Sequence, residues 1–558
     1  MSFELHVDEI GGIPCYWIDS GRPTLTGVIR FGFGSAHEPF IEAGWQHVIE
    51  HVALEGRERG TLDVNGSVDL LETEFVASGR PEDVAQHFSD LSAWLADPLF
   101  ADLDRERAIL RAEADGYGGG PVARAYAWRW GAHGPGTRNY GEPGLGRATP
   151  EALAARARVA FNRANAVIFF DGPPPSGMSL TLPEGSRAPY PTLTPVVHEP
   201  GQYEDSTFTI TGVIHQSPGG GLTEDYLERG LTQLLRHRAG GTYQVHSWSA
   251  ALNPSEAVLS VGADLQRDVL STAVPSVLEW LDAELSNGPS AETIDMLKDR
   301  RRQFHTDPHT AMGLASAAAT AYLEGEKIPT QADVIARLDA IGPEDVRDRL
   351  REFRETLLVG LPVGATPAEL PMVEMESTTE PPSQSGVTRH RNWPAWNRRV
   401  GVADHALVHT YDGRSHVWPT ADIAGVLVAG DEWRVVRDDG YVLALDPTEW
   451  HDIRAAQALL RAHVPEERFL SVPTDPDESY FQRMALFQRL YLGYARTVGR
   501  LSTPVFWSLL VACGIALLAI ASVCTDVLGM RSWVAYTIEG GGVLGALGTR
   551  VARASARR

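Results

Sequence analysis

"GWQHVIEHVALEG", residues 44–56, holds His47, Glu50 and His51 in the order H-x-x-E-H. The stretch has the length and apolar spacing of a helix. On a helix His47 and His51 are four apart and share a face. Two imidazoles so placed can chelate one divalent ion, and Zn²⁺ is the usual choice for such nitrogen donors. Glu50 is one residue from His51 and three from His47. It can point at a water activated by the metal without being a ligand itself. A short motif arises by chance too often to stand alone, so a third ligand is needed. "DRERAILRAE", residues 104–113, supplies one. Glu106 and Glu113 are two turns apart on a predicted helix and lie on one face. Glu113 can complete a His₂Glu set, with Glu106 as a second carboxylate close by.

The flanking sequence alternates strands and helices. In residues 1–180, "TGVIRFGFGS" and "TEFVASG" read as strands. "PEDVAQHFSDLSAWLADPLF" places Val84, Phe88, Leu91 and Leu95 on one helical face. "PEALAARARVAFNRANAVIFFDG" is a helix followed by a buried strand. Residues 201–365 repeat the scheme, with strands in "STFTITGVIH", "TYQVHSWSA" and "AVLSVGA" and a helix in "DYLERGLTQLLRHR". Two similar units in succession give an α+β fold with an internal pseudo-repeat. Residues 366–396 read as a polar linker rich in Pro, Ser, Thr and Glu. Residues 397–470 read as a small β-rich module closed by the helix in "TEWHDIRAAQALLRAHV". That pattern resembles a pleckstrin-homology-type barrel, although no motif carries the resemblance.

The order H-x-x-E-H, strand pair, helix and "RERxxxxxE" resembles the inverzincin metallopeptidases of the insulinase, pitrilysin and mitochondrial-processing-peptidase family, known as M16. The resemblance covers residues 5–365 and implies two successive M16-like α/β sandwich domains. It makes His47, His51 and Glu113 the zinc ligands, Glu50 the general base and Glu106 the acidic residue upstream of the last ligand. "LLRHRAGGTYQV", residues 234–245, resembles the "LRxxxGxxY" segment of the partner half of such enzymes. There Arg236 and Tyr243 would donate to a developing oxyanion. "TLDVNGSV", residues 61–68, matches the strand beside the zinc that holds substrate by edge pairing, with Asn65 and Gly66 as substrate-binding residues. Such pairing selects extended peptides with little side-chain specificity. One departure shows: Glu113 follows His51 by 62 positions, fewer than the family pattern. The missing piece falls between "GRERG" and "LDVNGSV", where relatives carry an extra helix that bears no ligand.

Composition bounds the rest. The chain of 558 residues is 43% hydrophobic and 22% charged, as globular domains are. Its net charge of -23 excludes broad nucleic-acid binding, which needs a basic face. Three cysteines do not make a disulfide framework. The acidic start "MSFELHVDEI" has no apolar signal-peptide core. "PVFWSLLVACGIALLAIASVC", residues 504–524, is 21 residues without a charge and long enough to span a bilayer. The shorter run at 532–548 leaves one span or two open, within an anchor covering 503–549. Arg483, Arg489, Arg496 and Arg500 precede the first span, and Arg550, Arg553, Arg557 and Arg558 follow the second. The intervening loop carries only Arg531, so a hairpin would leave the catalytic domains and the C-terminus in the cytoplasm. The resulting expectation is a membrane-anchored zinc endopeptidase acting on peptide substrates. By resemblance it works as a homodimer, with a heterodimer as the alternative assembly. A catalytically silent scaffold of the same fold is the alternative function.

Overall fold

The computed structural model describes residues 3–55, 61–117, 122–216, 219–307, 310, 312–362, 364–391, 395 and 397–472. The first unit runs β1 (His6–Ile10), β2 (Ile13–Trp17), β3 (Leu25–Phe31), α1 (Trp45–Leu54), β4 (Asp63–Val68), β5 (Thr73–Gly79), α2 (Pro81–Ala96), α3 (Leu103–Tyr117), α4 (Ala123–Trp130), α5 (Pro150–Ala160) and β6 (Ala166–Phe170). Its six strands lie in the order β1-β2-β6-β3-β5-β4. The continuous apolar run of β6 is buried at every position, which suits a central strand covered on both faces. It pairs parallel to β2 and antiparallel to β3. One face of the sheet is sealed by α1, α2 and α5 through Val48, Ile49, Phe75, Phe88, Leu91 and Phe170. The strand β4 is an edge, paired with β5 alone.

The second unit runs β7 (Gly201–Asp205), β8 (Phe208–His215), α6 (Gly220–Leu231), a π-helical turn (Thr232–Arg238), β9 (Val245–Ala251), β10 (Glu256–Ala263), α7 (Leu270–Asn287), α8 (Ala291–Thr306), α9 (Met312–Glu324), α10 (Gln331–Ala340), α11 (Pro343–Glu355) and β11 (Leu358–Pro362). Its strand order, β7-β11-β8-β10-β9, repeats β2-β6-β3-β5-β4 of the first, including the one parallel pair. The edge strand β9 is thus the counterpart of β4, and α6 of α1.

The two units exchange helices. From the second unit, α9 lies on the open face of the first sheet, where Leu314, Ala315, Ala318 and Ala319 meet Val28, Val167 and Phe169. Arg30 on β3 fastens it, donating to Ser316 Oγ at 2.9 Å and to Glu74 at 2.6 Å. In return α4 lies on the second sheet, with Tyr126 and Trp130 against Leu252 and Val258.

The third module holds β12 (Ser385–Arg389), β13 (Arg399–Ala403), β14 (Ala406–Tyr411), β15 (Arg414–Pro419), β16 (Ile423–Ala429), β17 (Glu432–Arg437), β18 (Val442–Leu445), α12 (Arg454–His463) and β19 (Phe469–Ser471). Two four-stranded sheets, β12-β13-β14-β15 and β18-β17-β16-β19, share one core with α12 through Leu407, Trp418, Val426, Val435 and Leu460. The stretch 366–396, read as a linker, therefore contains a strand. β12 is an outer strand with four of its five residues exposed, so its composition is that of a linker. The module also extends past 470, since β19 pairs parallel to β16. The expected span at 504–524 and the run at 532–548 lie outside the described residues. Among the described residues no helix is long and apolar enough to cross a membrane.

Candidate metal centre

Gly44 begins α1 at φ 98°, a conformation that glycine adopts without steric cost. Glycine has no capping side chain, and Glu38 supplies the missing acceptor. Its carboxylate takes hydrogen bonds from the backbone N–H of Gly44 at 3.0 Å and of Gln46 at 2.6 Å. Burial pushes the Glu38 pKa up to about 7, against the opposing pull of those two N–H groups and of Arg156. So anchored, α1 turns Val48, Ile49, Val52 and Ala53 into the core. The other face carries His47, Glu50 and His51 towards α3.

Glu113 Oε2 lies 3.8 Å from His47 Nε2 and 3.5 Å from His51 Nε2. Tetrahedral ligands about 2.0–2.1 Å from a zinc ion stand roughly 3.4 Å apart, so Glu113 lies close to that spacing from each imidazole. Glu50 Oε2 is farther from each histidine, at 4.0 and 3.8 Å. By position alone it joins the two histidines in a metal-sized cluster. Glu113 is thus the nearer carboxylate and Glu50 the more buried one.

Both imidazoles use Nε2 towards the centre and Nδ1 towards a carboxylate. His47 Nδ1 is 2.6 Å from Glu142 Oε1, and His51 Nδ1 is 3.7 Å from Glu106 Oε2. The first contact is a hydrogen bond of the kind that fixes the ring orientation and tautomer of a metal-binding histidine, and the second is a longer ion pair. The donor set therefore fits zinc. For His47, burial works to lower the pKa, but the hydrogen bond and charge of Glu142 outweigh it and the net shift is upward. For His51, burial and the neighbouring His47 move it down. Burial raises the Glu50 carboxyl to about 7, with His47 opposing and Glu113 adding.

The strand β4 runs alongside. A Cβ on Gly66 would fall 1.9 Å from Glu50 Oε1, so glycine is what lets the carboxylate lie against the strand. Asn65, next along β4, is exposed. Arg236 and Tyr243 come together elsewhere. The guanidinium carbon lies 5.4 Å from the phenol ring centroid, and Tyr243 is 83% exposed, just before the edge strand β9. Among the described residues the ion-pair partners of His47 and His51 are Glu50, Glu106, Glu113 and Glu142, all in the first unit. The structure thus gathers five of the expected residues at one centre and sets the Arg–Tyr pair on the other unit. Sequence reasoning missed Glu38 and Glu142. Neither sits in a motif, and each acts through a contact that only the folded chain makes.

Compared by sequence, the chain matches no protein-family model and no curated protein. Solved structures do match. A protease from Helicobacter pylori is similar with a TM-score of 0.54 at 11% identity, over 65% of this chain and 100% of that one. An inactive domain of an M16 peptidase from Pseudomonas fluorescens gives 0.50 at 14%, over 65% and 100%. Pitrilysin gives 0.50 at 15%, over 64% of this chain and 44% of its own. At these identities the likeness is one of fold, and the chain carries an M16-like α/β fold.

Proposed function

We propose that the chain is a zinc metalloendopeptidase that cleaves extended peptides or precursors, anchored to the cell membrane near its C-terminus with its catalytic units in the cytoplasm. One observation carries the reading: His47 Nε2, His51 Nε2 and Glu113 Oε2 converge while both Nδ1 atoms face carboxylates. His47, His51 and Glu113 would hold the ion. Bound there, zinc supplies Lewis-acid polarisation and brings the pKa of a coordinated water to about 7. Glu50, buried beside Gly66, takes a proton from the attacking water and delivers it to the leaving amine. The open edge of β4 offers its main chain to an extended substrate, which Asn65 and Gly66 line. Arg236 and Tyr243 present donors for the oxyanion.

An unbiased peptide-library digest tests this. Glu50→Gln should lose about 10²–10⁴-fold in hydrolysis and keep zinc, because the carboxylate moves a proton and does not coordinate. His51→Ala and Glu113→Ala should lose both activity and metal. Full zinc-dependent activity in Glu50→Gln would sink the assignment. A second reading, a silent scaffold, draws support from the inactive domain among the similar structures. A scaffold need not bind zinc stoichiometrically, and a metal assay on the purified chain separates the two.

A further inference from the structure

The loop that carries Glu142 is held from both sides. On one side it is tied to the start of α1. Trp45 Nε1 donates to Gly144 O at 2.9 Å, and Gly144 N donates to Ala43 O at 3.0 Å. On the other side it is gripped by the third module. The Tyr140 hydroxyl donates to Gly440 O at 2.8 Å, Ala132 N donates to Asp438 O at 2.9 Å, and Arg147 donates to Glu467 O. The contacts are tight: a Cβ on Gly131 would fall 2.0 Å from Asp438 O, and one on Gly146 would fall 2.6 Å from Ser471 O. Between these two grips Glu142 holds φ 55°, a left-handed conformation that glutamate rarely adopts. Such strain persists only where the surroundings enforce it, and it concentrates at functional sites. Here the strained residue places Oε1 at 2.6 Å from His47 Nδ1.

We propose that the third module is a structural part of the metal centre: by clamping residues 131–147 it makes Glu142 a positioning residue that fixes the His47 ring for metal binding. The proposal rests on the zinc reading above, and the test keeps the two apart. The readout is zinc affinity of the full-length chain, measured by competition with a chromogenic chelator. Wild type should bind one equivalent and His51→Ala should not; no binding by wild type removes the zinc reading and this one with it. Glu142→Gly should bind zinc about 10–100-fold more weakly, the usual loss when the partner of a ligating histidine is removed. Its metal-free thermal midpoint should not fall, because glycine is at ease at φ 55°. A residue with a merely structural role would show the opposite pattern. Tyr140→Phe, which cuts one tie to the module, should weaken zinc binding about threefold, the worth of a lost neutral hydrogen bond. It should add nothing in the Glu142→Gly background. Val261→Ala, a core change in the second sheet, should lower the thermal midpoint and leave zinc affinity alone. Wild-type affinity in Glu142→Gly overturns the proposal. Additive losses in the double variant overturn the route through Glu142.

Discussion

Gly66 and Glu50 define each other at the scale of the residue. The carboxylate occupies the space a side chain on Gly66 would fill. Gly66→Ala should therefore push Glu50 aside while the ligands stay in place, and activity should fall by about 10²-fold or more with zinc retained. Normal turnover by that variant would show that Glu50 does not act from this position. Glu38 makes a pH-dependent prediction. Its folded pKa of about 7 lies above the ordinary value of 4.5, so its contribution is complete below pH 4.5 and lost as pH rises through 7. In Glu38→Gln that loss disappears. The thermal midpoint of the variant relative to wild type should rise between pH 5 and 7, and a flat difference would mean that Glu38 titrates normally. What the sequence revealed at this scale was periodic. His47, Glu50 and His51 share a helix, and Glu106 and Glu113 repeat at two turns, so spacing alone groups them. Glu142 reaches His47 across 95 residues from an irregular loop. No local pattern in a single chain reports such a contact.

Among the elements, repetition was legible and exchange was not. The strands around α1 and α6 show their alternation in sequence, and their sheets share one topology. The helix α9, "MGLASAAATAYLE", buries alanines against the first sheet although it belongs to the second unit by chain order. Small residues give little periodic contrast, and the partner surface is more than a hundred residues away in sequence. The close approach makes this seam sensitive to volume. Ala319 is fully buried in the cluster that holds Val167 and Phe169, so added methylenes must displace packed neighbours. Ala319→Leu should cost about 1–3 kcal/mol in urea unfolding. An unchanged midpoint would mean that α9 does not pack there. The β12 stretch teaches a related lesson: an exposed outer strand is as polar as a linker, and only its pairing with β13 distinguishes the two.

The described residues hold two units of the M16-like fold, and the match covers 44% of pitrilysin. By family resemblance a closed peptidase chamber needs four such units, with the Arg–Tyr pair completing the site from the opposite half. In this chain the pair stands on the second unit, with Tyr243 83% exposed, and among the described residues the zinc candidates find their partners within the first unit. We therefore propose a two-fold homodimer, in which Arg236 and Tyr243 of one protomer face the zinc site of the other. A heterodimer with another M16-like subunit is the competing assembly. Mixing decides between them. A Glu50→Gln protomer and a Tyr243→Phe protomer should each be nearly inactive alone. If sites are shared in trans, a mixed dimer has one site with both lesions and one with neither. Activity should then return to about half per mixed dimer, since one of the two symmetric sites is intact. No recovery, with subunit exchange confirmed by differently tagged chains, would mean that each chain builds its own site or recruits a different partner.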